Sequence, residues 1–155
     1  MDLFKKILVA VDGSDPSNRA IDYAAEISSK WGAKLIVLAV VPKTTIPVFP
    51  DQGMGSSSIL AYGELARYEE RMKEVYQNVL NDALMRVKSK NKELDVEGIL
   101  KEGRPSSIIV DVAEKDGVDL IVLGSRGIGG ITGWILGSTS RKVVDSCTKP
   151  VLVVK

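Results

Sequence analysis

Two stretches of this sequence carry chemically capable residue types, and one of them could hold an anion. The longer one begins Leu123-Gly124-Ser125-Arg126-Gly127 and ends Gly137-Ser138-Thr139-Ser140. It starts where the apolar run Leu120-Ile121-Val122-Leu123 stops, and it closes on hydroxyl residues just before a helical pattern. Glycines at this density remove side chains where something must approach the backbone closely or where φ must be positive. A Gly-Ser-Thr-Ser segment opening a helix offers N–H groups and hydroxyls at the positive end of the helix dipole. The pattern therefore predicts a phosphate-binding loop. The shorter stretch, Asp12-Gly13-Ser14, follows the first apolar run and supplies a carboxylate.

Familiar nucleotide motifs do not account for the loop. A Walker loop closes on Gly-Lys-Ser/Thr, and no lysine lies between Arg126 and Arg141. A dinucleotide fingerprint follows the first strand, whereas these glycines follow the fourth and lack the closing glycine. The chain has no histidine, which excludes Ser-His-Asp and Cys-His catalysis and His-ligated metal sites. A net charge of +1 argues against nucleic-acid binding by bulk electrostatics.

The elements that must position these residues follow from apolar patterning. The chain has 155 residues, 45% of them hydrophobic, enough to bury the core of one domain spanning residues 1–155. No apolar run reaches the ~18 residues of a membrane span, and the start, Met-Asp-Leu-Phe-Lys-Lys, shows no secretory cleavage pattern. One cysteine, Cys147, cannot form an internal disulfide, consistent with a reducing cytoplasm; on an apolar helix face it reads as a small buried hydrophobe.

Continuous apolar runs at residues 5–11, 34–41, 120–123 and 150–154 read as strands buried on both faces, with an alternating edge strand at 94–101. A helix capped by Ser14 or Asp15 carries Ala20, Ala24, Ile27 and Trp31 on one stripe and stops at Gly32. Residues 42–58, with three prolines and three successive serines, read as a mobile loop. From about residue 59 to 89, Met72, Val75, Tyr76, Val79, Leu80, Ala83, Leu84 and Val87 form one helical stripe. Pro105 opens a third helix, and Val143, Val144 and Cys147 share a face of a last helix beginning near Ser138. Strands alternating with helices predict an α/β fold, a doubly wound open parallel sheet with about four helices on both faces. Ligands of such sheets sit beyond the carboxyl ends of the strands. Asp12, Val40 and the glycine loop converge in one crevice if the first and fourth strands are neighbours.

The spacing Gly124-x2-Gly127-x9-Gly137-Ser138, the opening Lys-Lys-Ile-Leu-Val-Ala-Val-Asp-Gly-Ser, the segment from Gly117 to Gly124 and the closing Lys149-Pro150-Val151-Leu152-Val153-Val154 resemble the universal stress protein family, in its ATP-binding branch. The resemblance covers essentially the whole chain. It implies five parallel strands in the order 3-2-1-4-5 and homodimers through the last strand, Val151, Leu152, Val153 and Val154. It places Val11 and Val40 near an adenine, and Asp12 near the ribose or a phosphate-bound Mg or Mn. Leu123, Gly124, Arg126 and Gly127 would meet the ribose and phosphates, and Gly137, Ser138, Thr139 and Ser140 the phosphate chain. Additional glycines, Gly129, Gly130 and Gly133, depart from some relatives.

The expected function is a cytoplasmic, ATP-binding stress-response regulator (ADP or AMP being alternative ligands) with an unidentified protein partner and at most slow hydrolysis. No catalytic residue stands out, since the loop has no lysine and no carboxylate is placed as a base. Two other readings stay open at this stage: a nucleotide-cleaving or nucleotidyl-transferring enzyme of the same α/β class, and a dimeric interaction module without nucleotide.

Overall fold

The computed structural model describes residues 2–43, 56–127 and 136–155. Its elements are β1 (Lys6–Val11), α1 (Asp15–Trp31), β2 (Lys34–Pro42), α2 (Ser56–Lys90), β3 (Val96–Gly103), α3 (Pro105–Lys115), β4 (Leu120–Gly124), α4 (Ser138–Ser146) and β5 (Val151–Val154). The five strands form one sheet in the order β3-β2-β1-β4-β5, and every neighbouring pair is parallel. The expected strand order and all-parallel pairing are therefore observed.

Alternation along the central strands divides the core into two layers. Ile7, Val9 and Val11 of β1, Leu35, Val37 and Ala39 of β2, and Leu120 and Val122 of β4 face α1 and α2. Leu8, Ile36, Leu38, Val40, Ile121 and Leu123 face α3 and α4. Strands apolar on both faces must be covered on both, which is why β1, β2 and β4 read as unbroken hydrophobic runs. Truncating a fully buried member such as Leu8 to alanine costs about 2–5 kcal/mol in a core of this kind. The edge strand β3 keeps half its residues in solvent.

Polar contacts fix the ends of this frame. The Asp119 carboxylate accepts from the Lys5 and Lys6 amides at 2.8 and 3.0 Å, tying the start of β1 to β4. Arg86 of α2 donates twice to Asp22 of α1, both at 2.7 Å, and Lys90 pairs with the same carboxylate. These cations, with the bidentate Arg86 first, hold Asp22 down to about 2 from its ordinary 3.8.

Several sequence expectations need correction. α2 begins at Ser56, so residues 56–58 belong to the helix and Pro42 closes β2; the expected mobility of residues 44–55 lies outside the described residues. β3 starts two residues later than expected and extends to Gly103, with Leu94 buried just before it. Trp31 is 40% exposed and meets Phe4 edge-on, centroids 5.5 Å apart, rather than entering the core. Val75 and Val144 are likewise exposed. Each lies on the shoulder of an otherwise apolar stripe, where helical spacing alone does not separate core from rim.

Candidate functional site

β1 and β4 are neighbours, so the turns that leave them open at the same end of the sheet. After β1, Asp12 organises its own turn. Its Oδ1 accepts from the Ser14 amide at 2.9 Å, and its amide donates to Ser17 Oγ at 3.1 Å. Ser14 caps α1 by accepting from the Ser17 amide, and its hydroxyl donates to the Arg126 carbonyl at 3.3 Å. The short polar side chains expected to cap the helix thus also join the β1 turn to the segment after β4.

That segment is clipped at both ends. The Ser125 carbonyl accepts from the Gly137 amide at 2.7 Å and from the Ser140 hydroxyl at 2.9 Å, while the Ser125 amide donates to the Val154 carbonyl. Residues 125–127 and 137–140 are therefore held side by side, although residues 128–135, with Gly129, Gly130 and Gly133, lie outside the described residues.

The glycines of the spacing serve this juxtaposition directly, and none of the three has a positive φ. A Cβ on Gly124 would stand 2.8 Å from the Pro16 carbonyl carbon and the Ser17 amide nitrogen. One on Gly127 would stand 2.7 Å from Asp12 Oδ2, and one on Gly137 would stand 3.3 Å from Arg126 Cα and the Ser125 oxygen. Gly124 seats the N-terminus of α1 on β4, Gly127 makes room for the Asp12 carboxylate, and Gly137 lets the two ends of the loop close.

Between these segments lies a cleft of about 410 Å³, within the range of small-molecule sites. All eleven residues expected at a nucleotide site line it: Val11, Asp12, Val40, Leu123, Gly124, Arg126, Gly127, Gly137, Ser138, Thr139 and Ser140. Ser140 plays a different part from the one expected of its hydroxyl. The residue is buried, and its one O–H is shared between the Ser125 carbonyl at 2.9 Å and the Gly137 carbonyl at 3.1 Å.

Two chemically distinct groups of residues line the cleft. Leu38, Val40, Ile109 and Leu123 belong to the α3–α4 layer of the core and form an apolar slot with Pro105. In the second group, α4 starts on Gly137 with no side-chain cap and no acidic residue in its first turn, so its first amides retain hydrogen-bonding capacity and a positive partial charge. Asp12 and Arg126 line the same cleft.

Sequence reasoning missed part of the wall: Ser17, Tyr76, Pro105 and Ile109 also line the cleft. Tyr76 belongs to the predicted apolar stripe of α2 and is half-buried, but it also lines the cleft. Burial, and after it the Asp12 carboxylate, push its phenol above the ordinary value, so it stands there as a neutral donor. Its polar handle on an otherwise apolar stripe is the one signal that could have marked it. Among the described residues no group of three or more Asp, Glu, Cys or His side chains is placed to hold a metal ion, and none of the helices is long and apolar enough to cross a membrane.

Comparison with known proteins agrees with this geometry. The profile of the universal stress protein family matches residues 3–155. The chain is 35% identical over 156 residues to universal stress protein YxiE of Bacillus subtilis, covering 99% of this chain and 100% of that protein. It is 31% identical to universal stress protein MJ0531 of Methanocaldococcus jannaschii, covering 99% of this chain and 84% of that one. Among solved structures, MJ0577 of the same organism superposes with a TM-score of 0.72 at 26% identity, over 99% of this chain and 96% of that one. A universal stress protein in complex with cAMP superposes with a TM-score of 0.64 at 29% identity, over 97% and 96% of the two chains. The strand order, the cleft beyond the strand ends and a match running the length of the chain make this protein a member of the universal stress protein family.

Proposed function

We propose that the cleft binds an adenine nucleotide, ATP with Mg or Mn foremost and ADP or AMP with fewer phosphate contacts, and that occupancy regulates a stress response by changing conformation or partner binding. The observation that carries this reading is the pairing of an apolar slot with an uncapped helix N-terminus inside one cleft. A flat apolar base suits Val40, Ile109 and Leu123 on the slot side, and phosphates suit the amides of Ser138, Thr139 and Ser140. Asp12 and Arg126 then meet the ribose and phosphates, with Gly124 and Gly127 giving backbone approach. The cAMP complex of a relative 29% identical to this chain supports an adenine ligand in this fold.

A divalent cation would be shared between Asp12, phosphate oxygens and water, the usual arrangement for Mg where one carboxylate is on hand. Hydrolysis is slow in this reading. The cleft holds one carboxylate, already accepting from the Ser14 amide, and no lysine, so charge stabilisation and nucleophile positioning are both incomplete. The chain acts as one cytoplasmic domain and dimerises through β5. Val151–Val154 is an edge strand whose outer backbone groups can pair about a twofold axis. Val153→Lys should shift the sedimenting mass toward monomer, and an unchanged mass would refute the β5 interface.

Nucleotide-stripped protein tested by equilibrium dialysis against ATP, ADP, AMP and GTP tests the main proposal. ATP retained at micromolar concentration, with GTP weaker, supports it. Equal and weak retention of all four would overturn it, and rapid conversion of ATP to ADP would move the protein to the enzymes.

A further inference from the structure

Only part of α2 is needed by the core. Tyr76, Val79, Leu80, Ala83, Leu84 and Val87 pack against the sheet, yet the helix runs from Ser56. At ~1.5 Å per residue, about 30 Å of helix precede Tyr76. That half carries its own apolar seam, Ala61, Leu65, Tyr68, Met72 and Val75, in alternating steps of four and three residues. Ala61 is exposed, Leu65 and Met72 are half-exposed, and Tyr68 and Val75 are 43% and 50% exposed. Such a seam is the coiled-coil repeat, and a lone helix of this length is marginal in water without a surface to bury it against.

The charges flanking the seam say what fits. Glu64 and Arg71 border one side and Tyr62 and Glu69 the other; neither Glu64 nor Arg71 makes an ion pair among the described residues. We propose that this half of α2 docks antiparallel on the same half of a second copy of this chain. In the register that sets Leu65 beside Tyr68 of the second copy, the twofold axis sets Ala61 beside its Met72. Glu64 then lies beside Arg71 of the second copy, twice, offset by about 3 Å along the axis at ~1.5 Å per residue. Sliding one heptad in one direction brings Arg71 to Arg71 and Glu69 to Glu69, and sliding in the other brings Glu64 to Glu64. Parallel pairing sets Glu64 against Glu69. One arrangement attracts on its flank and its neighbours repel, which is how such flanks choose orientation and register.

This surface is separate from the nucleotide cleft and from β5, and the test isolates it. Sedimentation equilibrium on the full chain would compare wild type with Glu64→Arg, Arg71→Glu and the double exchange, with circular dichroism verifying helix content. Association through β5 responds to none of these changes. Each single reversal should weaken self-association at least fivefold, most clearly at low salt, and the double exchange should restore it to within twofold. A wild type that stays monomeric, single variants without effect, or a double variant as weak as the singles would overturn the proposal. Insensitivity to both reversals would leave the seam to a different partner.

Discussion

The turns leading from β1 into α1 and from β4 into α4 lie side by side at the carboxyl ends of neighbouring strands, yet their helices start in opposite ways. α1 is finished by its own residues. Ser14 caps it, Asp12 and Ser17 close the turn around it, and Asp15 sits in its first turn. α4 begins on a glycine with no capping side chain and no acid in its first turn, and Ser140 directs its hydroxyl backwards to Ser125 and Gly137. An anion brought to this end of the sheet finds α1 satisfied and α4 available. The contrast separates polar groups already engaged within the β1 turn from amides at the start of α4 that have no side-chain cap among the described residues.

Substitutions can break that division at chosen points. The largest effect belongs to Gly124→Val, because backbone atoms of Pro16 and Ser17 stand 2.8 Å from the new Cβ and cannot give way as a side-chain end can. A loss of about 3 kcal/mol in denaturant unfolding is expected, at the upper end of overpacking costs. Gly127→Val meets the end of the Asp12 side chain instead. It should leave unfolding nearly unchanged while weakening ATP binding tenfold or more, about 1.4 kcal/mol. Ser14→Ala removes the α1 cap and should cost about 1 kcal/mol of stability, with ATP affinity within twofold of wild type by fluorescence-detected titration.

The smallest effect tests how firmly α1 is anchored away from the site. Asp22 titrates near 2 rather than 3.8, so its ion pairs stabilise the fold above about pH 4 and that contribution is lost as pH falls toward 2. Its partners Arg86 and Lys90 are 41% and 51% exposed, and solvent screening reduces the contribution to about 1 kcal/mol or less. Asp22→Asn should remove that portion of the acid sensitivity in urea unfolding curves measured between pH 2 and 5, without altering ATP affinity at neutral pH.

Much of this fold was legible because β1, β2 and β4 are apolar on both faces, and only a sheet covered on both sides explains such runs. Asp12, Val40 and the glycine loop were legible as cleft-lining because they lie at strand ends, where a doubly wound sheet opens. The resemblance to the family supplied the rest of the set. The packing partners of the glycines were not legible. Nothing in the spacing Gly124-x2-Gly127 indicates that the first glycine faces Pro16 and the second faces Asp12, since both contacts cross more than a hundred residues of sequence. Tyr76, Pro105 and Ile109 were missed for a related reason. Periodicity assigns a residue to a helix face, whereas lining the cleft depends on its height along that face. Trp31, Val75 and Val144 show the same weakness from the other side: each is apolar, correctly spaced and outside the core.

Calorimetric titration of nucleotide-stripped protein with ATP and magnesium, repeated with Gly127→Val, tests the central claim most directly. Micromolar binding by the wild type, lost in a variant that unfolds at the same denaturant concentration, is the predicted result. Absence of heat up to millimolar ATP, or equal binding by both proteins, would contradict a nucleotide site built between Asp12, Gly127 and the start of α4.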